Sequence, residues 1–157
     1  MRNRKGQVLV ETAIILPFLL VLIFGLVDFG RIVYTKDTLN TAARSGARVA
    51  AVTPALTPVS PASLFSSSGE PADTMKNYIF HGIPRDGSIQ YEVRIRDAAG
   101  TPVPGPANTG NQIQVIVTWP NFQLITPLYY ILALLTNSTR QESTALTITG
   151  EASMRYE

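Results

Sequence analysis

Residues 6–27 read Gly-Gln-Val-Leu-Val-Glu-Thr-Ala-Ile-Ile-Leu-Pro-Phe-Leu-Leu-Val-Leu-Ile-Phe-Gly-Leu-Val, directly after the basic start Met1-Arg2-Asn3-Arg4-Lys5. Val8 to Val27 is 20 residues, about 30 Å as a helix, which is the depth of a bilayer core. One charge, Glu11, lies inside this window. Without it the uncharged run Thr12–Val27 is 16 residues, short for a span. A carboxylate at the centre of a membrane segment costs roughly 3 kcal/mol on insertion scales and less near the edge, so such a residue points to function and to a partner. A secretory signal peptide also has a basic start and an apolar core. Three features oppose it here: Glu11 interrupts the start of the core, the run is long, and Asp28-Phe29-Gly30-Arg31 follows in place of a small-x-small cleavage site.

The remaining composition fits one membrane helix joined to a small water-facing domain. The chain has 157 residues, 45% hydrophobic and 15% charged, with a mean hydropathy of +0.14. A soluble domain usually carries about 25% charge. There is no cysteine, which excludes disulfides, a thiol nucleophile and Cys-based metal sites. The single histidine, His81, cannot form a His-pair metal site. The net charge of +2 depends on Arg2, Arg4 and Lys5; removing them from the 13 cations leaves 10 against 11 acids. The other cations are scattered, unlike a nucleic-acid-binding face.

Gly6-Gln7-Val8-Leu9-Val10-Glu11 resembles the processing site of type IV prepilins. There a membrane aspartic peptidase cuts after a glycine on the cytoplasmic side, and glutamate is the fifth residue of the mature chain. Cleavage after Gly6 turns the Gln7 nitrogen into a charged amine. Gln7 and Glu11 are four apart and share a helix face. The amine can pair with Glu11 of its own chain in the bilayer or of a neighbour in a filament. At 4 Å the attraction is about 4 kcal/mol with an effective dielectric of 20. The alternative is a plain signal anchor with Glu11 at the headgroups. Cations flank the span on both sides, so the positive-inside rule does not orient it. The Gly6–Glu11 motif does, with the tail cytoplasmic and the bulk outside.

Pro17 removes a hydrogen bond to the Ala13 carbonyl. It is either a tolerated membrane proline or a kink that helps helices bundle. Asp28 and Arg31, three apart, can pair at the boundary, with Tyr34 in the interfacial belt. Leu39, Ala42, Ala43, Gly46, Ala47 and Ala50 then form a helical stripe of mostly small residues. Ala42-xxx-Gly46-xxx-Ala50 admits close backbone approach. We expect it to pack on the chain's own sheet; an intersubunit seam is the alternative. Thr53 precedes Pro54 and ends the helix. Gln7 to Val52 is 46 residues, about 69 Å if continuous.

The expected domains are a leader (1–6), a transmembrane helix (7–28), an amphipathic continuation (29–53) and an extracytoplasmic α+β domain (54–157). In the last, residues 53–71 hold four prolines and Ser66-Ser67-Ser68-Gly69 and read as a tether. Residues 70–81 read as a short helix ending at Gly82, with His81 as a C-terminal cap. Ile89, Tyr91, Val93 and Ile95 alternate inward along one strand, and Ile113, Val115, Val117 and Trp119 along a second. The Gly/Pro-rich stretch 98–111 joins them as a hairpin with an exposed tip. A third strand spans 144–156, with Leu146, Ile148, Ala152 and Met154 inward and a bulge at Gly150. Phe122–Leu135 is apolar and too short to span a membrane; it reads as a short helix on the sheet, with a patch for a membrane or a partner as the alternative. The fold class is α+β and pilin-like: a long amino-terminal helix packed on a small antiparallel sheet of about three strands. No Gly-x-Ser-x-Gly, phosphate loop or acid/base pair occurs. The Asn137-Ser138-Thr139 sequon carries no function in a bacterial setting.

The blocks Gly6-Gln7-x-x-Val10-Glu11-x-Ala13-x-x-x-Pro17, Val27-Asp28-Phe29-Gly30-Arg31 and Ala42-Ala43-Arg44-Ser45-Gly46-Ala47-Arg48 resemble the TadE-like pseudopilins of Flp/Tad (tight adherence, type IVb) pilus systems. The close, Ala152-Ser153-Met154-Arg155-Tyr156-Glu157, is similar to that family too. Thr12 departs from it, since many members carry an aromatic there. The resemblance implies processing after Gly6, an inner-membrane pool and a structural role in assembling an adhesive pilus. The implied partners are the prepilin peptidase, other pilins, Tad assembly proteins and the lipid bilayer. It implies no enzymatic activity, cofactor or metal, and neither nucleic acid nor a small-molecule substrate as partner. The competing expectation is an unprocessed single-span anchor displaying a small binding module outside the membrane.

Overall fold

A computed structural model describes residues 4–79, 83, 85, 87–124 and 145–157. His81, Gly82, Pro127, the sequon and all but the start of Phe122–Leu135 lie outside the described residues. The element order is α1 (Arg4–Val52), β1 (Val59–Ser63), α2 (Glu70–Tyr78), β2 (Gln90–Arg96), β3 (Gln112–Gln123) and β4 (Ala145–Arg155). The long amino-terminal helix and the α+β class agree with the sequence reading. The sheet has four strands, in the order β1-β2-β3-β4, where three were expected. The chain divides into two compact units, 1–32 with 123–145 and 33–122 with 146–157. Helix α1 contributes to both.

In the first unit α1 is a continuous helix through Pro17. Its apolar side chains are largely exposed, among them Leu9, Phe18, Leu22 and Leu26. A water-soluble helix would bury one such face. This helix is long and apolar enough to cross a membrane.

The second unit is built on the antiparallel β2–β3 pair, whose register runs from Gln90 opposite Thr118 to Arg96 opposite Gln112. Alternation decides its two faces. Ile89, Tyr91, Val93, Ile95, Ile113, Val115, Val117 and Trp119 are all buried. Trp119 meets Phe122 edge to face, with ring centroids 5.2 Å apart. The intervening loop folds back: Asp97 Oδ1 accepts the N–H groups of Ala99 and Thr101 at 2.9 and 2.8 Å. Its later part is pinned by Val103 N–H to the Ile95 carbonyl and Ala107 N–H to the Leu56 carbonyl, both 2.8 Å. The continuous exposed tip is 98–102; beyond it exposed residues alternate with half-buried ones around the buried Ala107.

The added strand β1 lies in the stretch read as a tether. It pairs antiparallel with β2, and its register slips between Val59 and Ala62. Pro61 sits inside that slip. An edge strand tolerates proline where no ladder donor is needed, and a bulge is such a place. β4 forms the other edge. Thr147 Oγ1 donates to the Pro120 carbonyl and Gln114 Nε2 to Glu151. Those contacts run in opposite order along the two strands, so β4 is antiparallel to β3.

Three further details differ from expectation. Alternation continues unbroken through Gly150, with Ile148 and Gly150 buried and Ala152, Met154 and Tyr156 half-buried, so no bulge is needed. Leu146 was expected inward and is 41% exposed. Helix α2 stops at Tyr78, capped by the extended residue Ile79, whose N–H bonds to the Lys76 carbonyl. Pro71 opens it in the first turn, where a missing N–H costs nothing.

Candidate functional site: the two halves of the long helix

The apolar half of α1 carries the first group of expected site residues. Gly6, Gln7 and Glu11 are all exposed on α1, and so is Pro17. A Cβ added at Gly6 would meet nothing within 4 Å. The fold itself therefore makes no demand for glycine there. Gln7 and Glu11 stand one turn apart on α1. The structure brings no other charged side chain of the described residues to Glu11.

At the far end of this unit Asp28 is buried, with only 4% exposed. Arg31 Nη1 lies 3.3 Å from Asp28 Oδ1 and also donates to the Gln123 carbonyl at 3.4 Å. The three-residue spacing foretold the pair. It did not foretell the burial or the carbonyl, since Gln123 is 92 positions away.

The outer half of α1 carries the second group. Leu39, Ala42, Ala43, Ala47 and Ala50 are buried to 0% exposure, and Gly46 is buried with them. Within this unit the stripe faces the chain's own core. A Cβ on Gly46 would stand 2.6 Å from Cγ and Sδ of Met75, on α2. The small residues thus give room to a large one. The edge of β4 runs along the same helix. Lys36 Nζ donates to the Thr149 carbonyl, and Glu151 N–H donates to Asn40 Oδ1 at 3.3 Å. Farther on, Tyr156 Oη donates to the Thr53 carbonyl at 2.9 Å and Glu157 N–H to the Ala51 carbonyl at 3.2 Å. Strand and helix advance in the same direction. From residue 149 to 156 a strand rises about 23 Å, and from 36 to 53 a helix rises about 26 Å. Side chains of α1 thereby occupy backbone groups that an edge strand would otherwise offer to other chains. Sequence reading missed Met75 and Asn40, and it read Gly150 as a bulge where the glycine lies against the helix backbone. Only the glycines hinted at close approach.

Electrostatics in the outer unit is local. Lys76 Nζ bonds Asp73 at 2.8 Å and holds its carboxyl below the usual value, helped by the Gly69 N–H at 3.3 Å. Glu92 takes Arg94 in a fork, at 2.6 and 2.8 Å, and raises the guanidinium further. Among the described residues no group of three His, Cys, Asp or Glu is placed to hold a metal. An open groove of about 530 Å³ lies beside β2, between Pro58 and Pro102. It joins no titratable set beyond Glu92, Arg94 and Arg96.

A family model described as TadE-like protein matches residues 6–48. That segment runs from Gly6 through Glu11 and Asp28 to Arg48 and includes most of α1. The family is the one the sequence motifs resemble. No curated protein and no solved structure matches the chain. Over that segment, which is mostly an apolar helix, the chain is similar to TadE-like proteins.

Proposed function

We propose that this protein is a minor pilin or pseudopilin, processed after Gly6 by a prepilin peptidase and used to assemble a Flp/Tad adhesive pilus. It sits in the inner membrane with its amino terminus cytoplasmic and its outer unit beyond the membrane. The observation that carries the reading is the joint placement of Gly6 and Glu11. Both are exposed at the start of one apolar helix, inside the segment the family model matches. Glycine inside a helix costs about 1 kcal/mol against alanine. Among the described residues nothing packs where a Cβ at Gly6 would stand, which supports a peptidase subsite as the reason for the glycine. The new Gln7 amine and the Glu11 carboxylate then form the charge pair that offsets insertion of the acid and sets the register with neighbours. Other pilins and the Tad assembly proteins are the partners in that role.

A second reading keeps the chain unprocessed, as a single-span anchor for a binding module. The observation behind it is that the outer unit has a core of its own, with Ile89, Val93, Ile113 and Val115 buried. Intact mass and amino-terminal sequencing of the protein from membranes that contain the peptidase separate the two. A chain starting at Gln7 supports the pilin. A chain starting at Met1 supports the anchor.

A further inference from the structure

Among the described residues of the outer unit, five large hydrophobic side chains are exposed: Val33, Tyr34, Val52, Tyr78 and Leu146. Three of them, Val33, Tyr34 and Leu146, lie at one end of it. Lys36 donates to the Thr149 carbonyl and the Glu151 N–H to Asn40, so β4 runs beside α1 and advances with it. Val33 precedes Lys36 by three residues, and Leu146 precedes Thr149 by three. Residues three apart are neighbours on a helix, so Val33 shares with Lys36 the face that meets β4. Leu146 has the parity of the buried Ile148 and Gly150 and so points to the helix side of the sheet. It is nonetheless 41% exposed, and Val33 and Tyr34 are each 50% exposed. One apolar side chain from each element thus borders the same uncovered rim, with Tyr34 next along α1. Single exposed apolar residues need no explanation, but a group at one rim does.

The position of the rim along α1 says what covers it. Val33 follows Val27, the last residue of the apolar run, by six residues of one continuous helix, or about 9 Å. Three strand residues rise about 10 Å and three helix residues about 4.5 Å. Leu146 therefore reaches about 5 Å nearer the amino end of α1 than Val33. A bilayer is about 30 Å deep in its core and about 40–45 Å with its headgroups, which leaves a layer of about 5–8 Å on each side. The rim falls at that layer. Its chemistry suits the place, since tyrosine concentrates where hydrocarbon meets water and leucine buries readily in the headgroup boundary. The stretch Ala145–Gly150 carries no charge. We propose that Val33, Tyr34 and Leu146 form a lipid-contacting rim that seats this end of the outer unit in the headgroup layer. The occupant is the bilayer surface, touched by a strand from late in the chain as well as by the helix. The inference rests on α1 crossing the membrane, which both readings above share.

The absence of cysteine from the chain makes the test direct. Full-length Val33→Cys, Leu146→Cys, Thr101→Cys and Phe18→Cys, each labelled with an environment-sensitive fluorophore, are placed in vesicles of phosphatidylcholine with about a quarter phosphatidylglycerol. All four positions are exposed, so the substitutions leave the core untouched. Lipids spin-labelled on the headgroup should quench the probes at 33 and 146 at least threefold more than the probe at 101, which sits in the loop between β2 and β3. Aqueous iodide should quench them at least threefold less. A probe at 146 that answers to both quenchers as the one at 101 does overturns the rim. A probe at 146 shielded from both also overturns it, since protein would then be its cover. Quenching by lipid at 33 alone overturns it too, because α1 would then touch the bilayer without β4. The probe at 18 separates this inference from its basis. Lipids spin-labelled deep in the acyl chain should quench it; if they do not, α1 does not cross the membrane, and the reading beneath the inference fails with it.

Discussion

Gly150 of β4 lies against the backbone of Leu39 on α1. A Cβ at position 150 would stand 2.5 Å from the Asn40 nitrogen and 2.6 Å from the Leu39 oxygen. Both are backbone atoms in the middle of a 49-residue helix, so they cannot swing aside as a side chain would. Gly150→Ala must push β4 away from α1, and with it the contacts of Lys36 and Asn40 to the strand edge. Overpacking of a tight interior costs about 1–3 kcal/mol and occasionally more; this site belongs at the upper end. For a chain of this length, each kcal/mol lowers the thermal midpoint by about 2–4 °C. Thermal unfolding of the full chain in detergent should show a loss of about 6 °C or more. A change of less than 2 °C would mean that the helix and strand are not in such contact.

Gly46 makes a contrasting case, because the atoms it faces belong to a side chain. Met75 is flexible enough to move, and alanine in place of glycine favours the helix by about 1 kcal/mol. Gly46→Ala should therefore cost less than Gly150→Ala, about 1–2 kcal/mol. Met75→Ala alone should cost about 2–5 kcal/mol through the cavity it leaves. The double variant should be more stable than the sum of the two losses, since each change relieves the other. Strict additivity in the thermal midpoints would show that the two residues do not touch.

Tyr156 joins three segments. Its hydroxyl donates to the Thr53 carbonyl, its N–H to the Asn111 carbonyl, and its carbonyl accepts the Gly110 N–H. Tyr156→Phe removes only the first bond, worth about 0.5–1.5 kcal/mol. Hydrogen exchange should quicken at the carboxyl-terminal turn of α1 and stay unchanged at β2. Equal acceleration in both places would mean that the tyrosine supports the whole unit.

The two central strands were legible because one buried face imposes a period of two, and Ile89 to Ile95 and Ile113 to Trp119 show it without interruption. The long helix was legible from its apolar run and the small-residue stripe after it. β1 was not, because Pro58 and Pro61 mark a loop by every local rule, and only the bulge opposite Tyr91 and Val93 lets the strand form. Gly150 was seen as irregular, but the cause was read as local. Its cause is the helix more than a hundred residues earlier, and no nearby residue signals that. The processing motif differs in kind. On the proposed reading its glycine and glutamate answer to partners outside the chain, which is why the motif is more visible in the sequence than in the fold.

Asp73 gives a pH test of the start of α2. Its carboxyl is held below the ordinary value by Lys76 and then by the Gly69 N–H. A depressed folded-state pKa contributes stability above the unfolded value, near 3.9, and loses it as pH falls through the folded value. Asp73→Asn should therefore leave a shallower decline of the thermal midpoint between about pH 4 and pH 2. The difference should be small, because the group is exposed and solvent screens the pair. It should shrink further in high salt. An identical acid slope in both proteins would show that the pair adds nothing to folding.

Glu11→Ala tests the charge pair at the membrane end. Removing the carboxylate lowers the cost of inserting the helix, so membrane levels should hold or rise. The proposed cleavage site lies between Gly6 and Gln7, four positions before Glu11 on its nearer side, so cleavage should continue. What is lost is the partner of the new Gln7 amine. The amine then remains charged in an apolar setting with nothing to pair with, a state that costs several kcal/mol. Recovery in sheared filaments should therefore fall at least tenfold while the membrane pool keeps the processed mass. Glu11→Gln should fall nearly as far, because it keeps the shape and loses the charge. Glu11→Asp, with its carboxylate one methylene shorter, should retain part of the assembly. Normal recovery of the Ala variant in filaments would show that Glu11 does not set the register. Gly6→Ala and bulkier changes at that position provide the complement, since they should slow cleavage and leave a longer chain in the membrane. An unchanged mature mass across that series would detach Gly6 from processing altogether.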